Sequence, residues 1–518
     1  MNHFSPSPAS FARARHALWT GLAVAGALIL ATALRLYGIA NESLWLDEAT
    51  SLMLARMDIP SLVQWTALDI HPPLFYILLH YWRHLGEGEA MLRGLSVLAG
   101  VLNVLVIYQL GETLFDRRTG LYAAVLLAVA PFAIWYAQEV RMYAWVTLLL
   151  SASVLLALLS WQMRRWMAWV VYVLVTAGAL YTHYYAVFGI LLENLFFFYL
   201  WFRRRMDRRL LGSWLTSQLA VFVLFLPWFP TFLLPITVGG GGWLALGMGR
   251  PSWAVLAQTA VLYMVGTGRE LYPALVRRLG YALFVGLLVA GLWPRSARWR
   301  YAVGDTGLST APLYDENEAT AFCLAYLVLP LGIAWVSSQI FKPMYSARYM
   351  LPFLIPFLLL VARGVRNIPW GVVRGALMVA LVGVMAVGVV AQARLVEKPD
   401  WRGLAARITA QARPGDLVLF MPGWHAKPFD YYAQGRVALY SDVPIPVQNY
   451  GAEAIAAVER AIAGHPRVWF IWETDHYTDA KGAVYDYLRT HCRQVTEQAF
   501  PAVGRVILFE NSAALSGS

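Results

Sequence analysis

The sequence predicts an all-α polytopic membrane protein with a small α/β extracytoplasmic domain at its C-terminal end. Three observations predict it. Of the 518 residues, 59% are hydrophobic and only 14% are charged, with a mean hydropathy of +0.54; an average soluble domain carries about 25% charged residues. Apolar stretches of about 20 residues recur from Leu18 to Ala391, each long enough to cross a hydrocarbon core of roughly 30 Å. After Arg394, Asp, Glu, Pro and Gly become frequent and helix-like and strand-like patterns alternate, as they do in α/β domains.

In chain order, residues 1–16 form a cytoplasmic tail with Arg13 and Arg15. The apolar run 17–34 ends near Ala31-Thr32-Ala33, features shared with cleaved signal peptides. Because many spans follow, an uncleaved first helix is the preferred reading. The predicted spans are 17–37, 91–112, 120–137, 143–161, 167–184, 186–202, 212–234, 279–293, 319–340, 349–362 and 371–391, about eleven helices with ends uncertain by several residues. Together they define a membrane domain over 17–394, with a first outer loop at 38–90.

The sides follow from charge. Arg117/Arg118, Arg164/Arg165, the arginines of 203–205, Arg295/Arg298/Arg300 and Arg363/Arg366 lie between apolar runs, where the positive-inside rule puts cytoplasmic loops. That placement accounts for the net charge of +11 without nucleic acid. The same alternation puts Asp47-Glu48, His71, 138–141, 183–185 and 342–348 on the outer face. Two apolar segments, Leu74–Trp82 and 253–265, are short and read as interfacial helices; the second follows the glycine run 239–242, and Arg277/Arg278 fall outside against the rule. The domain at 395–518 reads as helix 401–412, strand Leu417–Met421, helix 451–463 and strand 468–472, and an odd helix count puts it outside. Cys323 and Cys492 are too far apart in this plan to pair.

The residues that could carry chemistry are polar groups at the ends of apolar runs. Asp47 and Glu48 follow Leu44-Trp45-Leu46. Neighbours on a helix do not share a face, so the two carboxylates have different jobs: one a general base, the other orienting it, binding a metal or holding a hydroxyl. Favourable acids at a helix N-terminus are the structural alternative. His71, in Asp69-Ile70-His71-Pro72-Pro73, is a metal ligand, a donor to phosphate, or a hydrogen-bonded turn residue. Glu139 is a candidate second acid, and Arg141 a phosphate ligand or a brace for the acids; an ion pair between helices explains both as well. Lys342, Tyr345, Arg348 and Tyr349 make a basic-aromatic patch suited to an anionic lipid-linked ligand, or to snorkelling at headgroups. His183-Tyr184-Tyr185 fits substrate, a metal ion or an aromatic belt. No Walker loop, dinucleotide fingerprint, HExxH or nucleophile elbow appears where it could work.

Taken together, Leu44-Trp45-Leu46-Asp47-Glu48, Asp69-Ile70-His71-Pro72-Pro73-Leu74 and Gln138-Glu139-Val140-Arg141-Met142-Tyr143 resemble the GT-C class of membrane glycosyltransferases, in particular the prokaryotic protein O-mannosyltransferase and aminoarabinose-transferase superfamily. The resemblance spans about residues 17–395. It implies a GT-C fold of about eleven to thirteen membrane helices, with interfacial helices in the first outer loop. It also implies transfer of one sugar from a polyprenyl-phosphate carrier. Asp47 matches the catalytic acid of the first loop and Glu48 its partner; Glu139 falls where a second outer-loop acid is expected, and His71 matches the His of the His-Pro-Pro turn. No β-trefoil-like insertion is visible, which weakens any case for a protein acceptor.

The expected activity is inverting sugar transfer to a hydroxyl of a glycan, lipid or protein at the outer face of the cytoplasmic membrane. Asp47, Glu48 and Glu139 are the expected catalytic residues. Arg141, Lys342, Tyr345 and Arg348 are expected to bind the donor phosphate, with His71 and His183 at substrate or a metal ion. No cofactor is required; a divalent cation near Glu48 or His71 is compatible. Two other readings are a transporter of envelope lipids or polysaccharide, which predicts polar residues and helix breaks near the midplane, and a non-catalytic scaffold for envelope assembly.

Overall fold

The computed structural model describes residues 8–163, 165–204, 207–237, 250–294, 314–341, 343–395, 398–473, 478–479, 481–500 and 502–511. Lys342, the 239–242 glycine run, Arg164, Arg205 and the arginines at 295, 298 and 300 lie outside the described residues. The chain divides into two compact units. One holds Met1–Gly38, Ile59–Leu78 and Ala90–Leu395; the other holds Ile39–Asp58, Leu79–Glu89 and Val396–Ser518.

The first unit is a multi-pass membrane bundle. Its helices are α1 Pro8–Leu36, α3 Ile59–Ala67, α4 Leu74–Trp82, α5 Glu89–Leu114, α6 Arg117–Val129, α7 Pro131–Ala137, α8 Tyr143–Met163, α9 Trp166–Leu180, α10 Ala186–Arg204, α11 Arg208–Phe225, α12 Phe229–Thr237, α13 Ala254–Val265, α14 Ala274–Leu292, α15 Glu316–Ile340, α16 Leu354–Asn367 and α17 Gly371–Arg394; α2, Leu46–Arg56, belongs to the second unit, while α4 and α5 cross the boundary. Among the described residues nine helices are long and apolar enough to cross a membrane, or ten if the bent pair α6–α7 is one span. The predicted span 167–184 is the exception: its helix, α9, has 15 residues, short of the about 20 that a straight crossing needs.

Helix α16 lies deepest, buried from Leu354 to Arg366. Its approach to α14 depends on two glycines. A Cβ on Gly364 would stand 1.9 Å from the Leu287 carbonyl oxygen, and one on Gly291 would stand 2.0 Å from that of Leu360. Close backbone contact through small residues is how membrane helices gain van der Waals attraction where lipid is as apolar as leucine. Glu193 is buried within α10; Ser153 Oγ of α8 donates to its carboxylate at 2.9 Å and Tyr172 OH of α9 at 3.4 Å. The acid thus ties three helices together.

The bend between α6 and α7 is 59°. Pro131 opens α7 and has no N–H to continue the α6 ladder, so carbonyls before it lose their partners. Arg35, fully buried in α1, supplies substitutes: it donates to the Leu127 and Ala128 oxygens, each at 3.1 Å. Gln138, just after α7, donates back to the Arg35 and Tyr37 oxygens at 3.0 and 2.8 Å. The segment 138–142 is therefore fixed at both the bend and its exit.

The second unit contains a five-stranded sheet in the order β2-β1-β3-β5-β4, with β1 Leu417–Met421, β2 Ala438–Tyr440, β3 Arg467–Trp472, β4 Arg493–Phe500 and β5 Gly504–Glu510. β1 pairs in parallel with β2 and β3, and Leu417 faces Val468 in register. β5 runs antiparallel between β3 and β4. Every residue of β1 and β3 is buried, as expected of parallel strands covered on both faces. One face packs Leu419, Phe470 and Phe509 against α20 Val447–Ile462 and α21 Ala483–His491; the other packs Val418, Phe420 and Ile471 against α18 Trp401–Gln411 and α19 Ala426–Ala433. Cys323 and Cys492 are buried free thiols.

One boundary differs from the sequence reading. The first loop, 38–90, does not belong wholly to the membrane domain: Ile39–Asp58 and Leu79–Glu89 fold with the C-terminal unit. The reason is a dense set of polar contacts. Ser43 Oγ donates to Asp400 at 3.2 Å, the Lys398 amide to Glu42 at 3.2 Å, and the Leu44 amide to Tyr432 OH at 2.7 Å. Arg402 pairs with Glu89.

Candidate functional site

The candidate residues divide between the two units. In the membrane unit the structure brings together His71, Arg141, His183 and Arg348. Glu139 and Arg141 lie in the short link between α7 and α8, 3% and 4% exposed. The link turns sharply, with the Arg141 amide donating to the Glu139 carbonyl at 2.8 Å, and Ser96 Oγ holds the Arg141 carbonyl at 3.1 Å.

From that anchor the Arg141 guanidinium reaches His71. Its Nη2 lies 3.4 Å from His71 Nε2, and Nη1 lies 3.5 Å from Tyr76 OH. A guanidinium only donates, so His71 must accept at Nε2 and carry its proton on Nδ1. That proton faces Asp69 Oδ2 at 3.3 Å. Burial opposes ionisation of Asp69, but the His71 hydrogen bond, the Ile70 amide and the charge of Arg141 prevail and hold its carboxyl below the usual range. The result is a chain from cation through imidazole to anion, set in the Asp69–Pro73 turn.

Aromatic rings close around this chain. His183 stands 5.8 Å from His71 and 4.8 Å from Tyr349, between ring centres. Tyr143 and Tyr185 flank the same Tyr349 ring at 6.0 and 5.1 Å. The Arg348 guanidinium lies 5.5 Å from the Tyr349 ring and 6.0 Å from that of Tyr143, and Arg141 approaches Tyr143 at 5.8 Å, all at cation–π range. Arg348 and Tyr349 ride on the 3-10 segment Ala347–Phe353. Tyr345, two residues before that segment, places its hydroxyl on Thr259 at 2.7 Å.

Burial first, then the neighbouring charges of Arg141 and Arg348, hold His183 well below its ordinary value. It is neutral in the folded protein, whereas an unfolded chain protonates it below about pH 6.5. The unfolded state therefore binds the extra proton, and stability from the neutral ring is complete above about pH 6.5 and lost as pH falls below it. Thermal unfolding between pH 7.5 and 5.5 is expected to show this loss, and His183→Phe is expected to flatten it. Asp69 does not enter that window: its carboxyl is held below the usual range, so its contribution begins to be lost only as pH falls below the unfolded aspartate value of about 3.9.

In the second unit, Asp47 and Glu48 open α2, and they diverge as neighbours on a helix must. Glu48 is fully buried. Its Oε2 accepts the Trp45 amide at 3.4 Å and Lys398 Nζ at 3.3 Å. Asp47 remains half-buried, and its carbonyl takes the Ser51 hydroxyl at 2.9 Å. Among the described residues no three His, Cys, Asp or Glu converge as a metal-ligand set. Glu48 and His71 both have other partners.

Sequence reasoning singled out His71, Arg141, His183 and Arg348 but gave no role to Tyr76 or Lys398. Tyr349 stood in the basic-aromatic patch and Tyr185 in the 183–185 motif, but nothing in the sequence joined them with Tyr143 as one ring cluster. Lys398 had one usable signal, a lone lysine just beyond the last span.

Residues 70–230 match the sequence pattern of the dolichyl-phosphate-mannose-protein mannosyltransferase family. That range includes His71, Glu139, Arg141 and His183. Among solved structures, the chain is similar to ArnT from Cupriavidus metallidurans bound to undecaprenyl phosphate, at 15% identity and a TM-score of 0.62, over 96% of this chain and 98% of that one. It is also similar to the oligosaccharyltransferase AglB from Archaeoglobus fulgidus in complex with an inhibitory peptide and a dolichol-phosphate, at 13% identity and a TM-score of 0.50, over 88% of this chain and 69% of that one. At these identities the likeness is one of fold. No curated protein matches the sequence.

Proposed function

The chain has the GT-C fold of the polyprenyl-phosphate-dependent membrane glycosyltransferases, and from that premise we propose that it moves one sugar from a polyprenyl-phosphate carrier to a hydroxyl acceptor at the outer face of the cytoplasmic membrane. The observation that carries the reading is the cationic, ring-lined cluster of Arg141, His71, His183, Arg348, Tyr143 and Tyr349. Two guanidiniums gathered beside aromatic rings suit an anion, and a phosphate matches their fork geometry.

In this scheme Arg141 and Arg348, with Lys342, hold the phosphate and neutralise the charge that grows on it as the glycosidic bond breaks. The Asp47 carboxylate takes the proton of the acceptor hydroxyl while that oxygen attacks the anomeric carbon. One displacement inverts the configuration. The phosphate is already an activated leaving group, so neither ATP nor a nucleotide sugar is needed. Glu139 is the second acid of the site. A divalent cation beside Glu48 or His71 is compatible with the scheme, which assigns it no step. The acceptor is a glycan, lipid or protein hydroxyl. What the ArnT and AglB structures hold, undecaprenyl phosphate and a dolichol-phosphate, supports a polyprenyl carrier for this chain too.

Mass analysis of envelope glycolipids, glycans and glycoproteins from cells lacking the chain tests the proposal. It expects one class to lose a single sugar mass while the polyprenyl-phosphate sugar accumulates. Unchanged masses in all three classes contradict it.

A further inference from the structure

His183 has two ring nitrogens in opposite situations. Nδ1 accepts the backbone amide of Tyr185 at 3.1 Å. An amide can only donate, so Nδ1 presents its lone pair and the neutral ring must carry its proton on Nε2. Nε2 is buried and has no hydrogen-bond partner among the described residues, and the residue is 4% exposed. A buried donor left unmade costs free energy. Around it stand the Tyr349 ring at 4.8 Å, the His71 ring at 5.8 Å and the Tyr143 ring at 6.3 Å, with the Arg141 and Arg348 charges close enough to act on it. A partner for this N–H must be an acceptor, and one that two guanidiniums also favour is an anion.

We infer that His183 is a neutral, tautomer-locked hydrogen-bond donor whose Nε2–H binds a phosphate oxygen of the lipid carrier, beside the guanidiniums of Arg141 and Arg348. The inference rests on the glycosyl-transfer reading and assigns the phosphate a third, uncharged ligand. It also gives His183 a role other than metal ligand, because neither nitrogen of this tautomer offers a free lone pair. The Tyr185 amide thereby acts at a distance: it sets which nitrogen holds the proton. A neutral donor suits a site that must release its phosphate product, since it adds directionality without adding charge.

The test is binding of undecaprenyl phosphate to the purified full chain in lipid nanodiscs. His183→Phe keeps a ring of similar size and removes the donor; His183→Gln keeps an N–H donor at a similar reach. A hydrogen bond to a charged group corresponds to roughly 10- to 100-fold in affinity. The inference expects about that loss in His183→Phe and recovery of most of it in His183→Gln, with both variants folded by thermal unfolding at pH 7.5. Wild-type affinity in His183→Phe overturns it, as does equal loss in both variants, which assigns the ring to packing. If the wild-type chain itself fails to bind undecaprenyl phosphate, the glycosyl-transfer reading fails and takes the inference with it. If the wild type binds and His183→Phe is unaffected, only the inference fails.

Discussion

Asp47→Asn is expected to lower sugar transfer by about 10²- to 10⁴-fold, the range typical of losing a positioned general base, with the fold unchanged. The substitution is nearly isosteric. Asp47 is half-buried, and its backbone carbonyl takes the Ser51 hydroxyl within α2, a contact asparagine retains. The amide cannot take a proton from the attacking hydroxyl. The loss should therefore fall on the rate of transfer and leave donor-phosphate binding intact. Glu48→Gln is not an equivalent change. It strips the charge from a fully buried carboxylate that faces Lys398, so its effect mixes stability with activity.

Lys398→Ala is expected to destabilise the second unit by about 3–5 kcal/mol, the usual result of removing one partner from a buried ion pair. Glu48 is fully buried and Lys398 is 8% exposed at 3.3 Å from it, so solvent does little to screen either charge. Without the ammonium, the buried Glu48 carboxylate loses its facing cation and must either take up a proton or draw in water. The first turn of α2 should loosen, and Asp47 with it. Hydrogen exchange read at α2 and α18 checks this, with faster exchange expected at both. The double variant Lys398→Met with Glu48→Leu should recover much of the stability, because an apolar pair of similar volume replaces a buried ion pair at little cost. It should not recover activity if α2 must be set by that pair. Single-variant stability equal to wild type would show that the pair contributes nothing.

The Glu48–Lys398 pair is one of several links between the first loop and the C-terminal α/β fold. The unit is not joined to the loop by one contact. Asp400 caps α18 and receives Ser43, Tyr432 receives the Leu44 amide, and Arg402 reaches both Ala40 and Glu89. A segment carrying the proposed base is thereby ordered by residues some 350 positions later in the chain.

That long separation is also why the arrangement was not legible in the sequence. Local pattern served well where burial is continuous. β1 was read at its observed bounds and β3 to within a residue, because strands covered on both faces are unbroken apolar runs. β2, β4 and β5 were missed, β5 despite its buried run Val506–Phe509; β4 is exposed almost throughout, with no apolar alternation, and exists as a strand only by pairing with β5. The α6–α7 break had a local signal, Pro131, but a single run of hydropathy absorbed it. In the site, His71 and Arg141 stood out as polar groups beside apolar spans, and Tyr349, Tyr185 and Tyr143 fell in separate motifs that nothing in the sequence joined. Their role appears only when three separate segments place rings within 5 to 6 Å of one another.

The most direct measurement follows a radiolabelled sugar presented on undecaprenyl phosphate to the purified chain in nanodiscs with a solubilised envelope extract as acceptor. The account predicts that label leaves the lipid for the acceptor fraction as undecaprenyl phosphate is released, and that Asp47→Asn binds the carrier but leaves the label on it. Label that stays on the lipid with the wild-type chain across a panel of donor sugars, or that moves as fast with Asp47→Asn, would contradict it.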